Sequence, residues 1–329
     1  MDRPGEAAVV EIPNIGAKSG EVLLQVKLVG MCGTDLNTFR GRNAMVEFPR
    51  VLGHEVAAVV AEGGGDLATG TAVTISPYTA CGICPACRRG RVNACQRNET
   101  MGVQRDGAMT EFISVPREKL HTAKLSMKEL CLVEPLTVGF HAAARGRVTD
   151  LDTVGVFGCG GVGLGAIAAS AFRGAETIAI DMDDTKLETA RRAGARHVVN
   201  TARENLHTRL AEITGGQGPD VMIEAIGLPQ TFRAAVEEVA FTGRVVYIGY
   251  AKEPVSYETR LFVQKELDIL GSRNALPDDF REVIRMLEAG RFPVEDAVSA
   301  IVPMEEAGRM LAEWSEAPGK FTKIMVQIS

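Results

Sequence analysis

This 329-residue sequence contains no continuous apolar run of membrane-span length. Its first residues lack the basic-then-apolar layout of a secretion signal. It carries no excess of positive charge: 42 acidic side chains stand against 36 Lys and Arg, a net charge of −6. It has no internal repeat and no low-complexity tract. Each absence removes a class. A helical membrane protein needs the apolar run, and an exported disulfide scaffold needs the signal. A duplex-binding protein shows a basic face, so nucleic acid is a poor partner. The expectation is a cytoplasmic protein with no membrane contact. In that reducing compartment, cysteines serve more often as metal ligands than as disulfides.

Hydrophobic residues make up 46% of the chain and charged residues 24%, which is globular usage. The length exceeds one ordinary core, so two domains are expected. From about Ala7 to Glu62, short β-type runs alternate with Gly and Pro; Val22–Val29 and Val56–Val60 are the clearest strands, and Thr71–Ser76 is another. Cys81 to Cys95 has no apolar period and reads as an irregular loop. Near Thr137 the texture changes. Thr153–Phe157, Thr177–Asp181, His197–Val199, Val221–Glu224, Arg244–Ile248 and Leu267–Leu270 read as short apolar strands with helical stretches between them. Such βαβ alternation predicts an α/β domain with a parallel sheet covered on both faces.

Gly158-Cys-Gly160-Gly161-Val162-Gly163 fits G-x-G-x-x-G, a weak pattern alone. Here it follows an apolar strand and opens the Ala-rich helix Val162–Phe172. Gly158 makes the tight turn, Gly160 lets the backbone approach a pyrophosphate, and Gly163 lets helix and strand pack closely. The helix N-terminus offers unpaired N–H groups to phosphates. The next strand ends at Asp181, placed to bind the adenosine ribose hydroxyls. Met182-Asp183-Asp184 follow and would repel a 2′-phosphate, so NAD is expected over NADP.

Cys81, Cys84, Cys87 and Cys95 are four thiols within fifteen residues. Four thiolates on an irregular loop suit a closed, tetrahedral, structural zinc site. The flanking Arg88-Arg-Gly-Arg91 reads as a solvated loop rather than a nucleic-acid knuckle. A second set is dispersed: Cys32 in Gly30-Met-Cys-Gly-Thr-Asp35, His54-Glu55, and Glu134 before Pro135. One Cys, one His and one carboxylate leave a fourth position open, as catalytic zinc requires. Spacing alone does not separate this from a histidine packed beside a strand.

Together these residues resemble the zinc-containing medium-chain dehydrogenase/reductase family. The landmarks run from Glu21 to about Phe280: Cys32-Gly-Thr-Asp35, Gly53-His-Glu55, the four-cysteine lobe, Val133-Glu-Pro-Leu136, the glycine loop and Asp181. Glu134-Pro-Leu-Thr-Val-Gly-Phe-His141 is similar to sorbitol dehydrogenases. Phe48-Pro-Arg-Val-Leu-Gly-His-Glu55 and Gly271-Ser-Arg-Asn-Ala275 resemble the bacterial branch acting on sugar acids, such as L-galactonate and L-idonate dehydrogenases.

The resemblance implies a GroES-like β-rich catalytic domain over 1–137 and 275–329, with a structural zinc lobe at 78–98, and a doubly wound Rossmann NAD-binding domain over 138–274. It implies about two zinc ions per chain and assembly as a homodimer or homotetramer through the Rossmann sheet edge. Cys32 and His54 would bind catalytic zinc, with Glu55 and Glu134 both candidates for the carboxylate. Asp35 would hold the far nitrogen of His54, and Thr34 would begin the proton relay. Ser272 and Arg273 would face the cofactor, with Arg40, Arg42, Arg273 and Asn274 as candidate substrate contacts. Arginine's planar fork suits a substrate carboxylate.

Two departures stand out. Asn37 occupies the position where relatives carry a relay histidine. The segment Arg3-Pro-Gly-Glu6 comes where relatives have already completed a strand, so that strand is expected to be missing or encoded upstream. The implied activity is oxidation of a secondary hydroxyl on a polyol or sugar acid with hydride transfer to NAD. The alternatives are a zinc-free quinone or enoyl reductase of the same superfamily and a non-enzymatic nucleotide-binding regulator.

Overall fold

The computed structural model describes residues 1–13, 15–63 and 65–329. The chain divides into two units, Met1–Glu134 with Val294–Ser329, and Pro135–Pro293.

Strand Glu21–Met31 organises the first unit. Its first half pairs with Phe112–Pro116 and its second half with Ile324–Gln327, while Glu55–Glu62 lies along its other side. The order across the seven-stranded sheet is Ala300–Pro303, Ile324–Gln327, Glu21–Met31, Glu55–Glu62, Ala72–Ile75 and Leu120–Thr122, with Phe112–Pro116 beside the central strand. Leu24, Val26, Val29, Val56, Ala58, Val73 and Ile75 are buried on these strands and form one core. A second forms where Met31, Leu36 and Phe39 meet Leu311, Trp314 and Ile324. The register places Gly30 opposite Glu55 on one side, and Met31 opposite Ile324 on the other.

In the second unit six parallel strands run in the order His197–Asn200, Glu176–Asp181, Thr153–Phe157, Val221–Glu224, Arg244–Tyr247 and Asp268–Gly271. The central ones are buried on both faces, which is why they read as plain apolar runs. The order reverses between Thr153–Phe157 and Val221–Glu224, the position where doubly wound sheets bind nucleotides.

Three expectations need correction. The second domain boundary falls at Val294 rather than at 275. Helix Pro277–Glu288 belongs with the parallel sheet, because Asp279 bonds His141 at 2.9 Å and Glu282 pairs with Arg173 at 2.6 Å. The expected β texture from Ala7 is missing up to Gly20: the described residues there carry no strand, and Pro13, Gly16 and Gly20 interrupt them. The cysteine loop is more ordered than expected, with a helical turn at Pro85–Arg88 and a 3₁₀ turn at Val92–Ala94. No helix of the described residues is long and apolar enough to cross a membrane.

Candidate metal and dinucleotide sites

Cys32 directly follows the central strand and caps the short helix Gly33–Phe39. Glu55 begins the neighbouring strand and His54 immediately precedes it. One ligand atom from each of Cys32, His54 and Glu55 lies within 4.8 Å of the others. His54 and Glu55 are buried, and Cys32 is half-buried. The Nδ1 of His54 is buried with no hydrogen-bond partner. A buried ring nitrogen without a partner is costly unless something absent from the chain takes it. The donor set, one thiol, one imidazole and one carboxylate, is one that holds zinc.

Asp35 sits nearby, but its carboxylate does not hold His54 as expected. It accepts from the backbone N–H of Cys32 at 2.8 Å and of Gly53 at 3.2 Å. The orphaned N–H at the start of the helix claims it. Asp35 thereby fixes the two segments that carry Cys32 and His54. The Thr34 hydroxyl is 3.7 Å from the Cys32 sulfur. Asn37 is exposed.

The two candidate carboxylates are held by different groups. Glu55 receives Lys323 Nζ on both oxygens at 2.6 Å. Glu134, on helix Met127–Arg145, accepts from the Tyr78 hydroxyl and lies outside the compact three-residue cluster. Burial raises the Glu55 pKa and the Glu134 charge adds to this; Lys323 opposes both, leaving it at about 7. Burial, reinforced by Glu134, pushes the Tyr78 hydroxyl well above its usual value. Burial works to lower the His54 pKa, but Cys32, Asp35 and Glu134 outweigh it and raise the pKa well above its usual value.

The sulfurs of Cys81, Cys84, Cys87 and Cys95 also lie within 4.8 Å of one another. Cys84 is 3.4 Å from Cys87 and 3.9 Å from Cys95, which is 3.5 Å from Cys81. Sulfurs about 2.3 Å from a central zinc stand about 3.8 Å apart at the corners of a tetrahedron. All four cysteines are free, at separations well beyond a disulfide bond. Backbone N–H groups of Cys87 and Gln96 pull the Cys84 thiol down to about 6, toward the thiolate a metal needs.

In the second unit, Gly158 adopts φ +93° between strand Thr153–Phe157 and helix Gly161–Phe172. A Cβ on Gly163 would lie 1.8 Å from the Gly158 carbonyl oxygen, so helix and turn meet only with glycine there. A Cβ on Gly160 would meet nothing within 4 Å, leaving open space over the helix start where a pyrophosphate would approach. Asp181 ends its strand half-buried and accepts from the N–H of Cys159 at 2.8 Å, Met182 at 2.7 Å and Asp183 at 3.2 Å. Asp183 caps the next helix, and Asp184 pairs with Arg203. Gly161 and Val162 form the first turn of the glycine-loop helix. Ser272 is buried after the last strand with its hydroxyl unpartnered; Arg273 is exposed, and Asn274 has φ +51°.

Arg40 is engaged within the first unit. Its Nε donates to the Ser315 hydroxyl at 2.9 Å and its Nη2 to the Ser315 carbonyl, tying the short helix to the end of Ala307–Glu316. Arg42 is exposed. Sequence reasoning missed three residues. Lys323 and Tyr78 carried no local signal. Glu224, fully buried at the end of its strand, accepts from Ile226 N–H, Gly227 N–H and the Thr231 hydroxyl at 2.7–2.9 Å. A carboxylate closing an apolar strand just before a glycine turn was the available signal.

Comparison with known proteins matches residues 18–125 to the alcohol dehydrogenase GroES-like domain and residues 161–289 to the zinc-binding dehydrogenase family. L-galactonate-5-dehydrogenase of Escherichia coli K12 is 32% identical, over 87% of this chain and 84% of its own. Sorbitol dehydrogenase of Bacillus subtilis 168 is 33% identical, over 82% and 80%. Among solved structures, an alcohol dehydrogenase of Escherichia coli CFT073 complexed with NADH superposes with a TM-score of 0.91 at 27% identity, covering 99% of this chain and 97% of that one. A zinc-binding dehydrogenase of Sinorhizobium meliloti 1021 bound to NADP gives 0.90 at 28% identity, covering 99% and 97%.

Proposed function

The chain belongs to the zinc-type medium-chain alcohol dehydrogenase family, and on that premise we propose that it oxidises a secondary hydroxyl of a sugar acid or polyol to a ketone, with zinc and NAD. The observation that carries this is the cluster of Cys32, His54 and Glu55, whose ligand atoms lie within 4.8 Å of one another, with His54 and Glu55 buried.

Cys32 and His54 would hold the metal, with Glu55 or Glu134 as the third ligand. Zinc bound there supplies Lewis-acid chemistry, lowering the pKa of the substrate hydroxyl. Asp35 fixes the Cys32 and Gly53 backbones and so keeps the ligand segments in register. Thr34 Oγ1 takes the hydroxyl proton and passes its own to solvent; Asn37 has no titratable group with which to carry it further. NAD, when bound, accepts the hydride. Gly158 to Gly163 would cradle its pyrophosphate, Asp181 its adenosine ribose, and Ser272 and Arg273 would face it beyond the last strand. The Asp181–Asp184 run supports NAD over NADP, and Arg203, the nearby cation that could offset it, is already paired with Asp184. The four-cysteine lobe would hold a second, structural zinc.

The substrate would carry a carboxylate. With Arg40 committed to Ser315, that reading rests on Arg273 and Asn274. Subunits would pair through the edge strand Asp268–Gly271, which among the described residues pairs with a strand on one side and is largely exposed. The test is a matched aldonate and alditol assayed with NAD by nicotinamide absorbance, alongside metal analysis. Equal or better kcat/KM for the alditol, with no selective loss in Arg273→Ala, refutes the carboxylate. Zinc-free enzyme with full activity favours the quinone or enoyl reductase alternative, and no hydride transfer with any polyol favours the regulator.

A further inference from the structure

Lys323 is buried at the start of the last strand, 268 residues from Glu55 in sequence. The sheet register brings them together. Glu55 stands opposite Gly30, and Lys323 immediately precedes Ile324, which stands opposite Met31 on the other side. A Cβ at Gly30 would lie 2.0 Å from Glu55 Oε2, so the bare glycine backbone makes room for the carboxylate. The ammonium reaches both Glu55 oxygens at 2.6 Å and the Met31 carbonyl at 3.2 Å. The same carboxylate belongs to the cluster with Cys32 and His54.

A buried carboxylate needs a counter-charge. Three lie within reach of Glu55: the ammonium, the His54 imidazolium of the metal-free site, and an ion held by Cys32 and His54. We propose that Lys323 is a positioning residue of the metal site, its ammonium and the metal ion serving as alternative counter-charges for Glu55. Lys323 holds the carboxylate when the ion is absent, and competes with the ion for it when the ion is present. It thereby limits how far Glu55 closes the open coordination position. The inference rests on the metal reading proposed above.

The consequence is a linkage of definite sign. Removing Lys323 harms the metal-free protein most, because the buried Glu55 then loses the ammonium that touches both its oxygens and keeps only the weaker influence of His54. In the loaded protein the ion takes over. The rise in Tm on restoring zinc to chelator-treated full-length protein is therefore larger in Lys323→Met than in the wild type. Zinc also leaves Lys323→Met more slowly, on the order of tenfold, and the cobalt-substituted variant shows the visible spectrum of a higher coordination number. Lys323→Met/Glu55→Gln returns all three readouts toward the wild type, and Lys323→Arg leaves them near it. A lysine that merely supports the fold would lower Tm equally with and without zinc; that result, or faster zinc loss from Lys323→Met, overturns the proposal. If Lys323→Met does not fold, Glu55→Gln reads the same linkage: its zinc-dependent Tm rise must shrink, and an unchanged rise overturns the proposal. Cys32→Ser, which keeps only the four-cysteine lobe, supplies the baseline. If Cys32→Ser holds as much zinc as the wild type, the metal reading itself has failed; if it has lost that zinc and the linkage is absent, only the role of Lys323 has.

Discussion

The Tyr78 hydroxyl donates its hydrogen bond to Glu134, and both side chains are buried. A neutral phenol fixes this carboxylate without cancelling its charge, whereas an ammonium neutralises Glu55. Tyr78→Phe removes the donor and leaves a buried oxygen one partner short, at a cost of about 1–3 kcal/mol. We expect a lower Tm and a reduced kcat, with KM for the dinucleotide unchanged because Tyr78 and the glycine loop lie in different units. A wild-type kcat would show that Glu134 needs no such orientation.

Cys32→Ser and His54→Ala should each abolish turnover while far-UV circular dichroism stays that of the wild type. Neither side chain belongs to the apolar cores that hold the sheet. Turnover near normal in either purified variant removes the cluster from the chemistry.

The four-cysteine lobe should govern stability. Cys84→Ser leaves an incomplete shell, and since structural zinc contributes folding free energy, Tm and zinc content should fall together. Acid should do the same to the wild type. A metal ligand must be the thiolate, and Cys84 stays ionised above about 6. Bound zinc holds its thiolates against protonation, so zinc is retained at neutral pH and released only as pH falls well below that value. Retention of all zinc at pH 4, read by atomic emission after desalting, would contradict the assignment.

NAD should be used in preference to NADP. Asp181→Ser removes one negative charge from the expected ribose site, and should narrow the ratio of kcat/KM values on the order of tenfold. Because the Asp181 carboxylate also accepts three backbone N–H groups, some loss of NAD binding should accompany it. A wild-type preference for NADP would refute this reading.

What the sequence disclosed follows from how local each signal is. The six parallel strands were legible because their central members are buried on both faces and read as apolar runs with turns between them. The glycine loop and the cysteine lobe were legible because their residues are neighbours in the chain. Helix Pro277–Glu288 was assigned to the wrong unit: its apolar stripe requires a partner, and the distant contacts His141–Asp279 and Arg173–Glu282 identify which. Arg40 looked free for a substrate because nothing near it in sequence reveals Ser315, 275 residues on. Lys323 was invisible for the same reason, its meaning being fixed by strand register.

That register also sets an order of events during synthesis. Chains leave the ribosome N-terminus first. Cys32, His54, Glu55 and Glu134 all emerge before any of Pro135–Pro293, and the strand that brings Lys323 alongside Glu55 emerges after it. For the whole time the parallel-sheet unit is being made, the nascent first unit holds its acidic cluster without its ammonium. A divalent ion captured early would be the cluster's first counter-charge, and the lysine a late arrival.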